Sequence, residues 1–215
     1  VKGVAFGDIN NDNWPDLYLS VMGGANLLFR NDFGKFKDIS KTAGVQGPKF
    51  SFPTWFWDVN NDGFIDIFVA SYDTSNLKNL AGDYAKEIQG DEVLTNKSRL
   101  FMNNGDETFS DQSKKYNIDK SLYAMGSNFG DLDNDGWLDF YIGTGSPEFT
   151  SVIPNRMFRN SEGKSFEEVT SAGGFGHIQK GHGVGFADLD NDGDQDIYTV
   201  PVSYTHLTLP TTPYV

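Results

Sequence analysis

Four nine-residue stretches of this chain carry oxygen donors at a spacing suited to a hard cation. They begin at Asp8, Asp58, Asp131 and Asp188 and read D-I-N-N-D-N-W-P-D, D-V-N-N-D-G-F-I-D, D-L-D-N-D-G-W-L-D and D-L-D-N-D-G-D-Q-D. Positions 1, 5 and 9 are Asp in every copy, position 3 is Asn or Asp, position 4 is Asn and position 2 is aliphatic. If the chain curls, side chains at positions 1, 3 and 5 converge on one point. The backbone carbonyl at position 7 can join them, and the acid at 9 closes a shell of the roughly six to eight oxygens that Ca²⁺ accepts. The ligand sets so defined are Asp8, Asn10, Asp12, Trp14 and Asp16; Asp58, Asn60, Asp62, Phe64 and Asp66; Asp131, Asp133, Asp135, Trp137 and Asp139; and Asp188, Asp190, Asp192, Asp194 and Asp196. Position 7 enters through its carbonyl, so Asp194 adds only charge, and up to four Ca²⁺ are expected, one per loop.

Other cations fit less well. Mg²⁺ demands near-ideal octahedral geometry and retains its waters, and transition metals favour the His and Cys that these loops lack. An EF-hand shares the opening pattern but needs Glu at position 12, where this chain has Leu19, Val69, Ile142 and Thr199. Its helical flanks are missing too, since runs such as Ile67-Phe68-Val69 are β-prone. Solvated Asx turns are the simplest competing explanation. Against them, fifteen of the 30 acidic residues fall within the four loops, a crowding that repels itself unless a cation neutralises it. Gly63, Gly136 and Gly193 at position 6 supply the positive φ of a tight curl, and Asn13 is the non-glycine residue that tolerates it best. The first loop, with Asn10, Asn13 and Pro15, should bind most weakly.

The remaining chemistry is excluded or bland. With 17 Lys and Arg against 30 Asp and Glu, a net charge of -13, the chain has no basic stripe for nucleic acid. The absence of Cys removes disulfide frameworks, thiolate zinc sites and thiol catalysis. No apolar run reaches the roughly 20 residues of a membrane span. His177 and His182 do not form a zinc-protease pair and read as turn or structural residues, and neither a nucleophile elbow nor a phosphate loop is present. Trp14, Trp55, Trp57 and Trp137 could stack on sugars, but aromatics at repeated positions are more often core. The Asp pairs could imitate two-carboxylate glycosidase chemistry, yet four equivalent copies point to a shared structural role.

The elements that carry the loops repeat with them. Leu28-Phe29-Arg30-Asn31, Leu100-Phe101-Met102-Asn103 and Met157-Phe158-Arg159-Asn160 each precede a Gly, then Phe36, Phe109 or Phe166, then an acid and a hydroxyl at alternate positions. Two β-prone runs around a glycine turn predict a hairpin. Strand, acidic loop, strand and hairpin make about four strands per unit, and loops starting at 8, 58, 131 and 188 repeat at the period of β-propeller blades. The prediction is an all-β chain over 1–201 with three complete four-stranded blades and part of a fourth. Residues 73–98 form an insertion, with a short helix capped at Ser75 and carrying Leu77, Leu80, Tyr84 and Ile88 on one stripe.

The stretches F-G-D-I-N-N-D, F-G-D-L-D-N-D-G and F-A-D-L-D-N-D-G-D-Q-D-I-Y resemble the FG-GAP/VCBS-type repeats of integrin-α-like β-propellers. The hairpin signature resembles the subgroup that often carries an ASPIC/UnbV domain, similar to cartilage acidic proteins. The resemblance covers about residues 1–200 and implies a seven-bladed propeller in the complete protein, Ca²⁺ in the acidic loops, and secretion or surface display. It departs at Asn13 and in having no ASPIC/UnbV segment. Val1 in place of Met reads as a piece of a longer chain. Residues 202–215 lose the repeat character, and one back-translation resembles a sequencing-library adapter end, so Tyr204, His206 and Pro210 carry no functional expectation. The expected function is a calcium-stabilised extracellular binding or adhesion module without catalysis, its partner a protein or glycan. The alternative is the propeller part of a carbohydrate-active enzyme such as a polysaccharide lyase.

Overall fold

The computed structural model describes residues 1–146 and 152–201. The segment read as translated adapter, 202–215, lies outside them. Strands β1 (Gly3–Gly7), β2 (Asp16–Ser20), β3 (Leu27–Asp32) and β4 (Lys35–Asp38) form one antiparallel sheet in chain order. The same meander recurs as β5 (Ser51–Trp57), β6 (Asp66–Ser71), β7 (Arg99–Asn103) and β8 (Phe109–Asp111). It recurs again as β9 (Ala124–Gly130), β10 (Asp139–Thr144), β11 (Arg156–Asn160) and β12 (Phe166–Glu168), and β13 (Gly181–Ala187) pairs with β14 (Asp196–Pro201). These are propeller blades, three of four strands and one of two, as the repeat predicts.

Each acidic nonapeptide joins the first two strands of its blade. Gly7 pairs with Asp16, Trp57 with Asp66, Gly130 with Asp139 and Ala187 with Asp196, so position 9 opens the second strand in every copy. All four loops therefore occupy the same end of their sheets.

The core lies between blades. In β6 and β10 every residue is buried, whereas β2 alternates between buried and half-buried. The reason is visible in β6: Ile67 and Val69 pack with Tyr18 and Leu28 of the first blade, while Phe68 and Ala70 pack with Phe140 and Ile142 of the third. A strand covered on both faces loses its wet side. Trp55 and Trp57 sit in the second of these layers, and Phe166 stacks on Trp57 with ring centroids 5.6 Å apart and planes 8° apart. Both indoles are thus core, and neither is presented to a sugar. Glycine sets how closely the third and fourth sheets approach: a Cβ on Gly126 would lie 2.0 Å from the His182 carbonyl oxygen, and one on Gly143 2.4 Å from that of Gly181.

The insertion differs from its prediction in two ways. It opens with a 3₁₀ turn, Thr74–Asn79, capped by Asp73, whose Oδ1 accepts the Ser75 N–H at 2.9 Å; Ser75 is the donor and not the cap. Helix α1 is the single turn Ser40–Ala43, and α2 (Leu80–Gln89) follows the 3₁₀ turn. Leu80 and, in part, Leu77 and Tyr84 pack on Tyr123 and Ile153, but Ile88 is 66% exposed. The inward face at i, i+3, i+4 and i+7 from Leu80 is completed instead by Asp83, which accepts the Tyr123 hydroxyl at 2.7 Å, and by Glu87.

Candidate metal centre

The first aspartate of each loop ties the curl. Asp8 Oδ1 accepts the Asp12 N–H at 3.0 Å and its Oδ2 accepts the Asn13 N–H at 2.7 Å, and Asp58, Asp131 and Asp188 make the same two bonds in their own loops. Position 5 accepts from the N–H of position 7 at 2.8 to 3.0 Å in all four copies. The turn needs left-handed backbone twice. Position 6 does so as expected, at φ 69° for Asn13 and 86° to 98° for the glycines, and position 4 does so as well, at 53° to 64° for Asn11, Asn61, Asn134 and Asn191. Asn is the side-chain-bearing residue for which that region costs least.

Position 9 is anchored from two sides. Asp66 accepts the Val59 N–H at 3.1 Å on one oxygen and the Asn103 N–H at 2.8 Å on the other. Asp16 and Asp139 repeat this with Ile9 and Asn31, and with Leu132 and Asn160, and Asp196 accepts the Leu189 N–H. Asp16, Asp66 and Asp139 are fully buried. Burial pushes the Asp66 carboxyl up to about 7 and that of Asp139 up to about 6, against the two amide bonds that favour the anion, and the neighbouring loop acids add to the rise. Asp16 is raised for the same reason. A carboxylate with one amide on each oxygen still has lone pairs left for an ion.

Three carboxylates meet in each of two loops. Oxygens of Asp131, Asp133 and Asp139 all lie within 4.8 Å of one another, and so do those of Asp188, Asp190 and Asp196. Desolvation and the Asp135 charge raise the Asp133 carboxyl. In the first two loops position 3 is an amide. Asn10 donates to Asp12 Oδ2 at 3.0 Å and Asn60 to Asp62 Oδ2 at 2.8 Å, while the buried Asn60 Oδ1 accepts no hydrogen bond. An all-oxygen donor set with an unused buried oxygen fits a hard cation, Ca²⁺ before Mg²⁺. Side chains at position 7 serve the hairpin of their own blade. Phe64 lies over Gly105 and Trp137 over Gly163, where a Cβ would come within 2.5 Å of the indole, while Trp14 meets Phe33 edge-on at 5.6 Å and remains 39% exposed. Asp194 differs, its carboxylate accepting Asn134 Nδ2 at 2.8 Å.

Sequence reasoning missed three features. The acid and hydroxyl after each hairpin form a clasp: Ser40, Ser113 and Thr170 accept the N–H of Leu28, Leu100 and Met157 and donate to Asp38, Asp111 and Glu168. The hairpin asparagines reach back to the preceding blade, Asn103 to the Ile9 carbonyl at 2.8 Å and Asn160 to that of Val59 at 3.0 Å. Finally, the fully buried Arg156 binds Glu87 of α2 and Glu168 of β12, each at 2.6 Å, and lies under the Tyr84 ring. The first two had a signal in their regular spacing. The third had none, because its residues are far apart in the chain.

A family model described as an FG-GAP-like repeat matches residues 8–69, 58–142 and 143–199. No curated protein matches. Among solved structures the chain is similar to the rhamnogalacturonan lyase YesW, at 17% identity and a TM-score of 0.48. That alignment covers 92% of this chain but spans only 39% of the lyase. A likeness of that degree bears on neither substrate nor activity. Among the described residues, no helix is long and apolar enough to cross a membrane.

Proposed function

The chain belongs to the FG-GAP-like repeat family, and from that membership and the loop geometry we propose that it is a calcium-stabilised, non-catalytic binding or adhesion module acting outside the cell. The observation that carries this is the equivalence of the loops. The hydrogen bonds of positions 1 and 5 recur in four copies, and two copies bring three carboxylates together. A catalytic pair would break such symmetry at one copy. Positions 1, 3, 5 and 9 would hold the ion, with the position 7 carbonyl beside them, and a bound divalent cation would supply the positive charge these turns lack. The backbone amides on Asp8, Asp58, Asp131 and Asp188 fix the turn, and those of Asn31, Asn103 and Asn160 on Asp16, Asp66 and Asp139 tie the first three loops to the third strand of their blades.

Extracellular calcium modules work at dissociation constants of about 10⁻⁴ to 10⁻³ M, which suits exposed loops of this kind better than a cytosolic sensor range. The partner is a protein or a glycan met by the rigidified end of the blades. Thermal melts with calcium and with EDTA test the reading. A site filled to about 100 times its Kd adds roughly 2.7 kcal/mol, or about 5 to 10 °C for a chain of this length. Equal melts, or turnover on a polysaccharide panel lost on a single Asp change, would overturn it.

A further inference from the structure

The constant asparagine at position 4 is not a candidate ligand, yet its side chain leaves its own loop. Asn11 Nδ2 donates to the Gly63 carbonyl of the second loop at 3.1 Å, Asn61 to the Gly136 carbonyl of the third at 3.3 Å, and Asn134 to the Gly193 carbonyl of the fourth at 3.3 Å. The same bond thus runs from position 4 of one blade to position 6 of the next at every junction described. The donor residue stands between positions 3 and 5 in the chain, and the acceptor is the peptide just before position 7. Hairpin asparagines add a link in the opposite direction, Asn103 to Ile9 and Asn160 to Val59, at position 2 of the preceding loop.

We propose that the position 4 asparagines are positioning residues that couple neighbouring calcium loops, so that ordering one loop around an ion pre-orders the next. This rests on the calcium reading above and adds its regulation. Filling loop two fixes the Asn61 amide where Gly136 needs a donor, and filling loop three fixes the Gly136 carbonyl where Asn61 needs an acceptor. Each event removes part of the ordering cost of the other, and the linkage is reciprocal. One neutral hydrogen bond has a net worth near a fivefold change in affinity.

Isothermal titration of the whole chain with Ca²⁺ alone tests this against two variants. Asn61→Gly keeps the left-handed backbone and deletes the donor; Asn61→Asp keeps a branched polar side chain that cannot donate. The wild type should take up calcium more steeply than independent sites, a neighbouring ion binding about fivefold tighter than the first. Both variants should bind the same number of ions along a flattened curve, with the metal-free melt little changed. Asn11 and Asn134 still couple the outer pairs of loops in both variants, so the slope should fall without vanishing. Independent sites in the wild type, or a slope undiminished in both variants even where the melt falls, overturns the coupling and leaves the calcium reading standing. No calcium uptake by the wild type overturns both.

Discussion

Among the described residues, the base of the insertion and the blade ends both gather carboxylates, and they solve the repulsion in opposite ways. At the base of the insertion, Glu87 and Glu168 share the buried Arg156, and although burial pushes the Glu168 carboxyl up, the Arg156 charge and hydrogen bonds outweigh it and hold the group below its ordinary value. Among the described residues no such guanidinium pairs with the acids of the loops at the blade ends from an enclosed position, and the buried acids Asp66 and Asp139 are pushed up to about 7 and about 6. The nearest approach there is Arg159, 3.8 Å from Asp133 and half exposed. The difference separates a closed ion cluster, complete within the chain, from an open one that a free cation completes.

The largest expected effect falls on the closed cluster. Arg156→Met should cost about 3 kcal/mol, because it leaves two partly buried acids with only Lys120, 4.0 Å from each, as a counter-charge, and urea unfolding at neutral pH should show it with or without calcium. The same change at Arg159, on the open side, should cost under about 1 kcal/mol, since exposed pairs contribute little. If the two substitutions cost the same, the contrast fails.

Next comes Asp66→Asn. The amide can still accept the Asn103 N–H but turns an NH₂ toward that of Val59, so a loss of about 1 to 3 kcal/mol is expected in EDTA. In calcium the deficit should widen, because the second loop also loses a ligand; paired chemical melts measure both. An Asn that is harmless in both buffers would remove Asp66 from the site.

A smaller effect is the pH dependence. Without metal, Asp66 and Asp139 keep their protons in the native state to about pH 7 and 6, whereas the unfolded chain releases them near pH 4. The native state then binds more protons over that window, so stability falls as pH rises from about 4 to 7. Calcium should reverse the slope, since the ion takes the place of the proton. Glu168 works the other way: its lowered value contributes stability above the ordinary carboxylate range, lost as pH falls through it. Melts across pH in EDTA and in calcium should therefore lie close together at low pH, where protons fill the sites, and separate as pH rises, and parallel curves would contradict the open-cluster account.

Much of this was legible in the residues. The meander, the blade boundaries and the site candidates all follow from a spacing that recurs, because a repeat states its own register four times. Position 6 was readable from glycine, yet the equal demand at position 4 was hidden, since Asn there looks like a polar turn residue until φ is known. Phe36, Phe109 and Phe166 share one sequence position but differ in fate: the first is half exposed, and the other two are buried against the preceding blade. Burial between blades depends on a neighbour, which no single repeat records. Ile88 failed for a similar reason. Helical spacing placed it on a stripe, but the surface beneath offers Arg156 of β11 and the Ser121 N–H of the connection before β9 as partners, and Glu87 takes the inward place.

Anomalous scattering from crystals grown in calcium chloride tests the central claim most directly. A calcium peak should stand about 2.3 to 2.6 Å from carboxylate oxygens of Asp131, Asp133 and Asp139, with an equivalent peak at Asp188, Asp190 and Asp196. Density with no such peak at saturating calcium, or loops with these oxygens turned away from a common centre, would contradict it.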